Sequence, residues 1–279
     1  MKLTILLDNN TFIDRYFYGE PGVAYLIESE GKKILFDTGY SDAFIRNAQK
    51  MGVSLLDLDY IVLSHGHMDH TWGLIPLMRH YIEAAIEGKA YMRPTVVAHP
   101  FVCLTRSIAE QEEIGSLLSQ EKLGQHFHLA LSKVPVWLTE KLVFLGEIER
   151  GNDFEAQKPI GKILKDGSLE EDYLLDDSAL VYRSAQGLVI ITGCSHAGIC
   201  NIIEYAKQIC EDERIVDIVG GLHLLDPDEK QIQGTLEYIK KQKLKNLHAC
   251  HCTDLHSKIA LSQITNLKEV GVGLVLEYE

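Results

Sequence analysis

Two periodicities alternate along the chain. Short β-branched apolar runs bounded by Gly, Asp or Ser predict strands, and apolar residues spaced by three and four predict helices. "KLTILL" (2–7), "GVAYLIES" (22–29) and "KKILFDTG" (32–39) predict three opening strands, with a hairpin turn at Glu30-Gly31. "SDAFIRNAQKMG" (41–52) predicts a helix with Ser41 as N-cap and Gly52 at its end. "LDYIVL" (58–63) predicts a buried strand, "GLIPLMRHYIEAAIEG" (73–88) a helix, and "TVVAHP" (95–100) another strand.

The middle is less regular. "TRSIAEQEEIGSLLSQEKLG" (105–124) predicts a helix, and "HFHLALSKVPVWLT" (126–139) and "KLVFLGEIE" (141–149) predict strands. Residues 150–177 are rich in charge, Gly, Pro and Asp, and predict a long loop, either a lid or a surface insertion. Alternation then resumes. "SALVYRS", "GLVIITGCSHAG", "IVDIVGGLHL", "LHACHC" and "GLVLEYE" predict strands, with helices at 199–210, 229–241 and about 256–268. No repeat or Gly/Ser linker divides the chain, so one α/β domain spanning 1–279 is expected.

One loop stands out chemically. Between the strand ending at Leu63 and the helix starting near Gly73, "HGHMDH" places His65, His67, Asp69 and His70 within six positions. In α/β sheets, loops at the carboxyl ends of strands are where ligand groups gather. Imidazole and carboxylate suit zinc, iron or manganese. Four such groups exceed one open site once distal histidines join, so they fit two neighbouring metals with water between them. A bound metal lowers the pKa of water from roughly 16 to about 7, which supplies a nucleophile at neutral pH.

Charge narrows the substrate. The 279 residues are 46% hydrophobic and carry a formal net charge of -13, which opposes nonspecific binding to nucleic acid or anionic membrane. No apolar run is long enough for a signal peptide or membrane span, so a cytoplasmic location is expected. The six cysteines lack disulfide-framework spacing, and "CHC" (250–252) is not a structural-zinc knuckle.

"HGHMDH" also matches the H-x-H-x-D-H motif of the metallo-β-lactamase superfamily. Supporting segments occur in order: "ILFDTG", "GLVIITGCSHAGI", "VGGLHL" and "HCT". Together with "GEIER" (146–150), they resemble the branch named for 7,8-dihydropterin-6-yl-methyl-4-(β-D-ribofuranosyl)aminobenzene 5'-phosphate synthase. The resemblance implies a four-layer αβ/βα sandwich with two divalent metals, zinc first among them, at one edge. It implies His65 and His67 on one metal, Asp69 and His70 on the other, His251 completing the second site and His196 the first. It gives Asp69 a catalytic role, anchoring one metal and taking a proton, and Asp37 a supporting role through hydrogen bonds.

Two departures matter. Gly193-Cys194 stands where many members have Gly-Asp, so Cys194 is either a thiolate ligand or a turn former beside His196. "GEPGVAYLI" replaces the branch's usual N-terminal stretch, which bears on substrate. His223 either lines the pocket or makes structural hydrogen bonds. The leading expectation is a hydrolase-like or related transferase acting on a small anionic or heteroaromatic molecule. An RNA-processing nuclease and a nonenzymatic metal-dependent binder are the alternatives.

Overall fold

The computed structural model describes residues 1–108 and 112–279. Two sheets pack face to face. The first holds seven strands, in the order Val275–Glu277, Lys2–Leu7, Ala24–Ser29, Lys32–Phe36, Tyr60–Val62, Thr95–Ala98 and His128–Leu131. The second holds six, in the order His248–Cys250, Ile215–Gly221, Gly187–Thr192, Ala179–Ser184, Leu142–Phe144 and Val136–Trp137.

The strands read as continuous apolar runs because each sheet is covered on both faces. Side chains alternate sides. In the first sheet Leu6, Leu26, Leu35 and Ile61 face helices Ala43–Lys50 and Leu74–Ile86, while Ile5, Ile27, Phe36 and Val62 face the opposite sheet. In the second, Val181, Ile190 and Ile218 face helices Ile199–Cys210 and Glu229–Gln242, while Leu180, Ile191 and Val219 face inward. Three apolar layers result, sandwiched among helix, sheet, sheet and helix. Each fully buried aliphatic side chain contributes about 1.5–3 kcal/mol relative to exposure.

Parallel pairing sets the position of the site. Lys32–Phe36, Tyr60–Val62 and Thr95–Ala98 run parallel, as do Gly187–Thr192, Ile215–Gly221 and His248–Cys250. Their carboxyl ends meet at one edge of the sandwich. Four residues at these ends adopt positive φ without being glycine: Asp37 (57°), Ser195 (64°), His223 (49°) and His251 (50°). Such backbone is held only where its surroundings over-determine it, and it gathers at functional sites.

Several expectations change. The Glu30-Gly31 turn holds, with φ of 49° and 76°. The helix expected from Ser41 starts at Ala43; Ser41 Oγ accepts from the Ala43 N–H at 3.1 Å, and Asp42 occupies the flanking position. The helix expected over 105–124 is replaced by strands Arg106–Ile108 and Glu112–Glu113 and a helix at Gln120–His126, with residues 109–111 outside the described ones. The expected loop at 150–177 contains a hairpin, Lys162–Lys165 with Ser168–Glu171, turned by Asp166-Gly167 at φ of 49° and 82°. The two corrections are linked, because Ile163 pairs with Arg106 and Lys162 with Ser107. The last helix is Leu255–Ser262, and beyond it Lys268 N–H bonds to Leu247 O, drawing the chain back beside a strand.

Candidate metal centre

The candidate side chains reach the edge from the ends of four strands. His65 follows Tyr60–Val62, Cys194 and His196 follow Gly187–Thr192, His223 follows Ile215–Gly221, and His251 follows His248–Cys250. Asp69 and His70 sit on the single helical turn Met68–Thr71, entered from His67 in extended conformation. The strand ends approach closely. A Cβ on Gly193 would lie 2.2 Å from Ser64 Oγ and 2.8 Å from Asp37 Oδ2, so only glycine lets the two sheets meet here. Gly193→Ala is expected to destabilise the fold by about 1–3 kcal/mol through overpacking and to lower metal content, both read by thermal melting and elemental analysis. An unchanged melting temperature and metal content would reject this account.

Three imidazoles are tethered through Nδ1. His70 Nδ1 donates to Asp37 Oδ2 at 2.7 Å, His251 Nδ1 donates to Asn9 Oδ1 at 2.9 Å, and His65 Nδ1 donates to Ser64 Oγ at 2.9 Å. Ser64 Oγ in turn donates to Asp37 Oδ2 at 2.7 Å, and Ser64 N–H donates to Asp37 Oδ1 at 2.7 Å. Their Nε2 atoms therefore point inward, the side a metal would take in exchange for any proton held there. His70 Nε2 and His251 Nε2 both lie 3.2 Å from Cys194 Sγ. Asp69 Oδ2 lies 3.2 Å from His251 Nε2 and 3.5 Å from His70 Nε2. His65 Nε2 lies 3.1 Å from His67 Nδ1, and the His196 ring centre is 4.7 Å from that of His65 and 4.9 Å from that of His67.

Two groups emerge whose donor atoms all lie within 4.8 Å of one another: Asp69, His70, Cys194 and His251, and His65, Cys194 and His196. Cys194 is common to both. The residues thus bring Cys194 and His196 in together, where the motif left a choice between them. His67 stands beside the second group, and its Nε2 is buried without a hydrogen-bond partner, as are both ring nitrogens of His196. A buried polar atom left unpaired costs about 1–3 kcal/mol, and a cation would satisfy His67 Nε2 together with one ring nitrogen of His196. The donor set fits a metal.

Electrostatics agree. Burial, with neighbouring imidazoles, holds His65 and His196 well below the usual histidine range. Burial and the Arg106 charge lower His67 to about 3. All three are neutral, the ligating form. Burial opposes charge on His70, but Asp69 and Asp37 raise it well above its ordinary value. Carboxylates that hold a proton so firmly form an equally good well for a cation. Burial pushes the Cys194 thiol well up, so a thiolate there requires cationic partners.

His223 lines the site. Its ring centre is 4.2 Å from that of His196, its Nδ1 is buried without a partner, and its N–H donates to Cys252 Sγ at 3.3 Å. Beside it opens a cleft of about 710 Å³, floored by Ser195, His196 and His223. Residues 153–154 and 156–160, with Tyr173 and Leu174, form one wall, and 226–228 with 230–231 the other. Two ion pairs cross it, Lys158–Asp228 at 3.0 Å and Lys230–Asp153 at 2.7 Å. Of the four cations in the 150–177 segment, Lys158 lines this cleft; Arg150 instead donates to Tyr173 O and Leu174 O. His99, with its Nε2 3.0 Å from Glu147, and His248, with its Nδ1 3.0 Å from Asp217, serve structural bonds.

The profile of the metallo-beta-lactamase superfamily matches residues 18–207. The chain belongs to that superfamily. Among its members, the 7,8-dihydropterin-6-methyl-4-(beta-D-ribofuranosyl)-aminobenzene-5'-phosphate synthase of Methanocaldococcus jannaschii is 31% identical, over 91% of this chain and 87% of the synthase. An uncharacterised protein of the same organism is 31% identical over 98% of this chain and 99% of its own length. The solved structure of a metal-dependent hydrolase of the superfamily superposes with a TM-score of 0.83 at 26% identity, covering 100% of this chain and 99% of that one.

Several neighbours escaped the sequence reading. Ser64, Asn9, Asp176 and Asp177 are strand-end polar residues, and that position was the available signal. Asp177 Oδ2 accepts the Ala197 N–H at 2.8 Å, and Oδ1 lies 3.9 Å from His65 Nδ1. Arg106 had no local signal, since it lay inside a predicted helix.

Proposed function

We propose that this protein is a metal-dependent hydrolase-like enzyme, or a related transferase, with a binuclear centre acting on a small anionic or heteroaromatic substrate. The observation that carries the reading is the tethering of His65, His70 and His251 through Nδ1, which turns the Nε2 atoms of His70 and His251 toward Asp69 and Cys194 and that of His65 toward His67. His65, His67 and His196 would hold one divalent cation, Asp69, His70 and His251 the other, and Cys194 would serve both. Such cations, with zinc favoured by mixed imidazole, carboxylate and thiolate donors, supply Lewis acidity and acidify water near neutral pH.

The chain's own groups do the rest. Asp37 holds the His70 ring and, through Ser64, the His65 ring, so neither has to reorganise. Asp69 has a side chain 23% exposed, whereas Asp37 and Asp177 are fully enclosed. Asp69 is therefore the carboxylate within reach of the reacting water; burial opposes its charge, but His70 and His251 beside it hold it well below the usual carboxylate range, so it stays ionised to anchor a cation and orient the water. His196 and His223 form the floor of the cleft, and Tyr173 offers a flat surface on one wall. Lys158 and Lys230 stand at its mouth in exposed pairs that add little to stability, so an anionic substrate can exchange them cheaply. The relationship to the synthase supports a pterin-like or ribosyl-phosphate-bearing substrate.

The test combines metal analysis with activity. About two transition-metal ions per chain are expected after anaerobic purification, and chelation should lower the melting temperature, since ligand at a thousandfold its Kd stabilises by about 4 kcal/mol. Turnover of small phosphodiesters or pterin-like compounds should exceed turnover of tRNA. Absence of any transition metal, or efficient salt-sensitive cleavage of tRNA, would overturn the reading.

A further inference from the structure

Arg106 is fully buried, with no exposed surface, on a short strand outside both main sheets. Its Nε donates to Asp172 Oδ2 at 2.8 Å, and its Nη2 lies 2.6 Å from Asp176 Oδ1. The second oxygen of Asp176 accepts the backbone N–H of Gly66 at 2.9 Å. Gly66 separates His65 from His67. The guanidinium also packs directly on this residue, because a Cβ at Gly66 would lie 2.0 Å from Arg106 Nη1. Two further backbone bonds brace the loop: Ser178 N–H to Ser64 O at 2.9 Å and Met68 N–H to Ile114 O at 2.8 Å.

Resting on the reading of His65 and His67 as metal ligands, we infer that Arg106 is a positioning residue for them, acting through Asp176 and Gly66. The chemistry favours a specific role. A buried guanidinium retained only for stability is a poor choice, since apolar residues of similar volume often do as well. Arg offers what they lack: a planar fork that holds two carboxylates in fixed relation. One carboxylate closes the cleft-wall segment at Asp172, and the other grips the metal loop at Gly66. The triad thus ties the wall of the cleft to the first-metal ligands. The loop between His65 and His67 is held in place at Gly66 before any cation arrives, so binding incurs less ordering entropy.

The two acids allow a discriminating test. Asp172→Asn weakens the ion pair without touching the metal loop, whereas Asp176→Asn weakens it and loosens Gly66. Zinc would be titrated into each apo variant against a chromophoric chelator, well below its melting temperature, with circular dichroism as a folding check. Asp176→Asn is expected to lower the affinity for one of two zinc ions by about 10–100-fold, the range seen when groups supporting metal ligands are lost. Asp172→Asn should leave both affinities within about threefold of the parent while lowering the melting temperature. Where Asp176→Asn does not fold, Arg106→Lys carries the same expectation, because the shorter cation cannot span both carboxylates. Equal zinc affinity in the parent, Asp176→Asn and Arg106→Lys, or an equal loss in Asp172→Asn, would reduce the triad to a structural ion pair. A parent that binds no zinc would instead overturn the metal-centre reading on which the inference stands.

Discussion

Cys194→Ala should strip the protein of most of both metals, whereas His251→Ala and His196→Ala should each cost mainly one. The expectation follows from Cys194 lying in both donor groups, with Sγ 3.2 Å from His70 Nε2 and from His251 Nε2. Cys194 is buried, and burial disfavours its thiolate unless positive charge is close. A cation held beside it would supply that charge, and the thiolate would in turn lower the repulsion between two such cations. Losing it should reduce activity by more than about 100-fold, beyond the loss typical when only a supporting group is removed. Elemental analysis of the three variants, together with the cobalt-thiolate absorption of the parent, is the measurement. If Cys194→Ala keeps two metals and most of its activity, the cysteine only shapes the turn and His196 carries the first site without it.

Asp37→Ala should be the most damaging single change to stability. Asp37 is fully buried and receives three hydrogen bonds, from Ser64 N–H, Ser64 O–H and His70 Nδ1–H, each at 2.7 Å. Each donor stranded in the interior costs about 1–3 kcal/mol. The backbone adds to the loss, since Asp37 sits at φ 57°, where alanine is disfavoured by about 1–2 kcal/mol. A loss of roughly 4–6 kcal/mol follows if the donors recover part of their bonding from water. Asp37→Asn tolerates the same backbone and keeps an acceptor, so it should fold while releasing the His70 ring. Urea denaturation of both variants, with zinc titration of the asparagine form, separates the two effects. An alanine variant within about 1 kcal/mol of the parent would show that the network contributes far less than its geometry implies.

The apolar pattern alone was enough to place most strands and helices of one α/β domain, because short apolar runs and helical spacing report burial over windows of five or six residues, whereas the two-sheet sandwich was implied by the family resemblance and not by periodicity. Strands such as 24–29 and 187–192 and helices such as 199–210 lie where local periodicity puts them. The motif loop was equally legible, since His65, His67, Asp69 and His70 are bound together by adjacency.

Other features depended on residues far apart in the chain. Glu-rich 105–124 has local helical preference, yet Arg106 is drawn into a strand by Asp172 and Asp176, and no short window contains that pairing. The hairpin at 162–171 carries a visible Asp-Gly turn, but its charged strands hide the pattern because one of them is wholly exposed. Asn9 meets His251 across 242 residues, and Cys194 meets His70 across 124. Sequence could therefore name the donors that a loop supplies by itself and the strand ends where others would stand. Which donor atoms come within reach of one another, which acceptor fixes each imidazole, and how a buried arginine reaches the histidine loop were decided only when parallel strands brought their carboxyl ends to one edge.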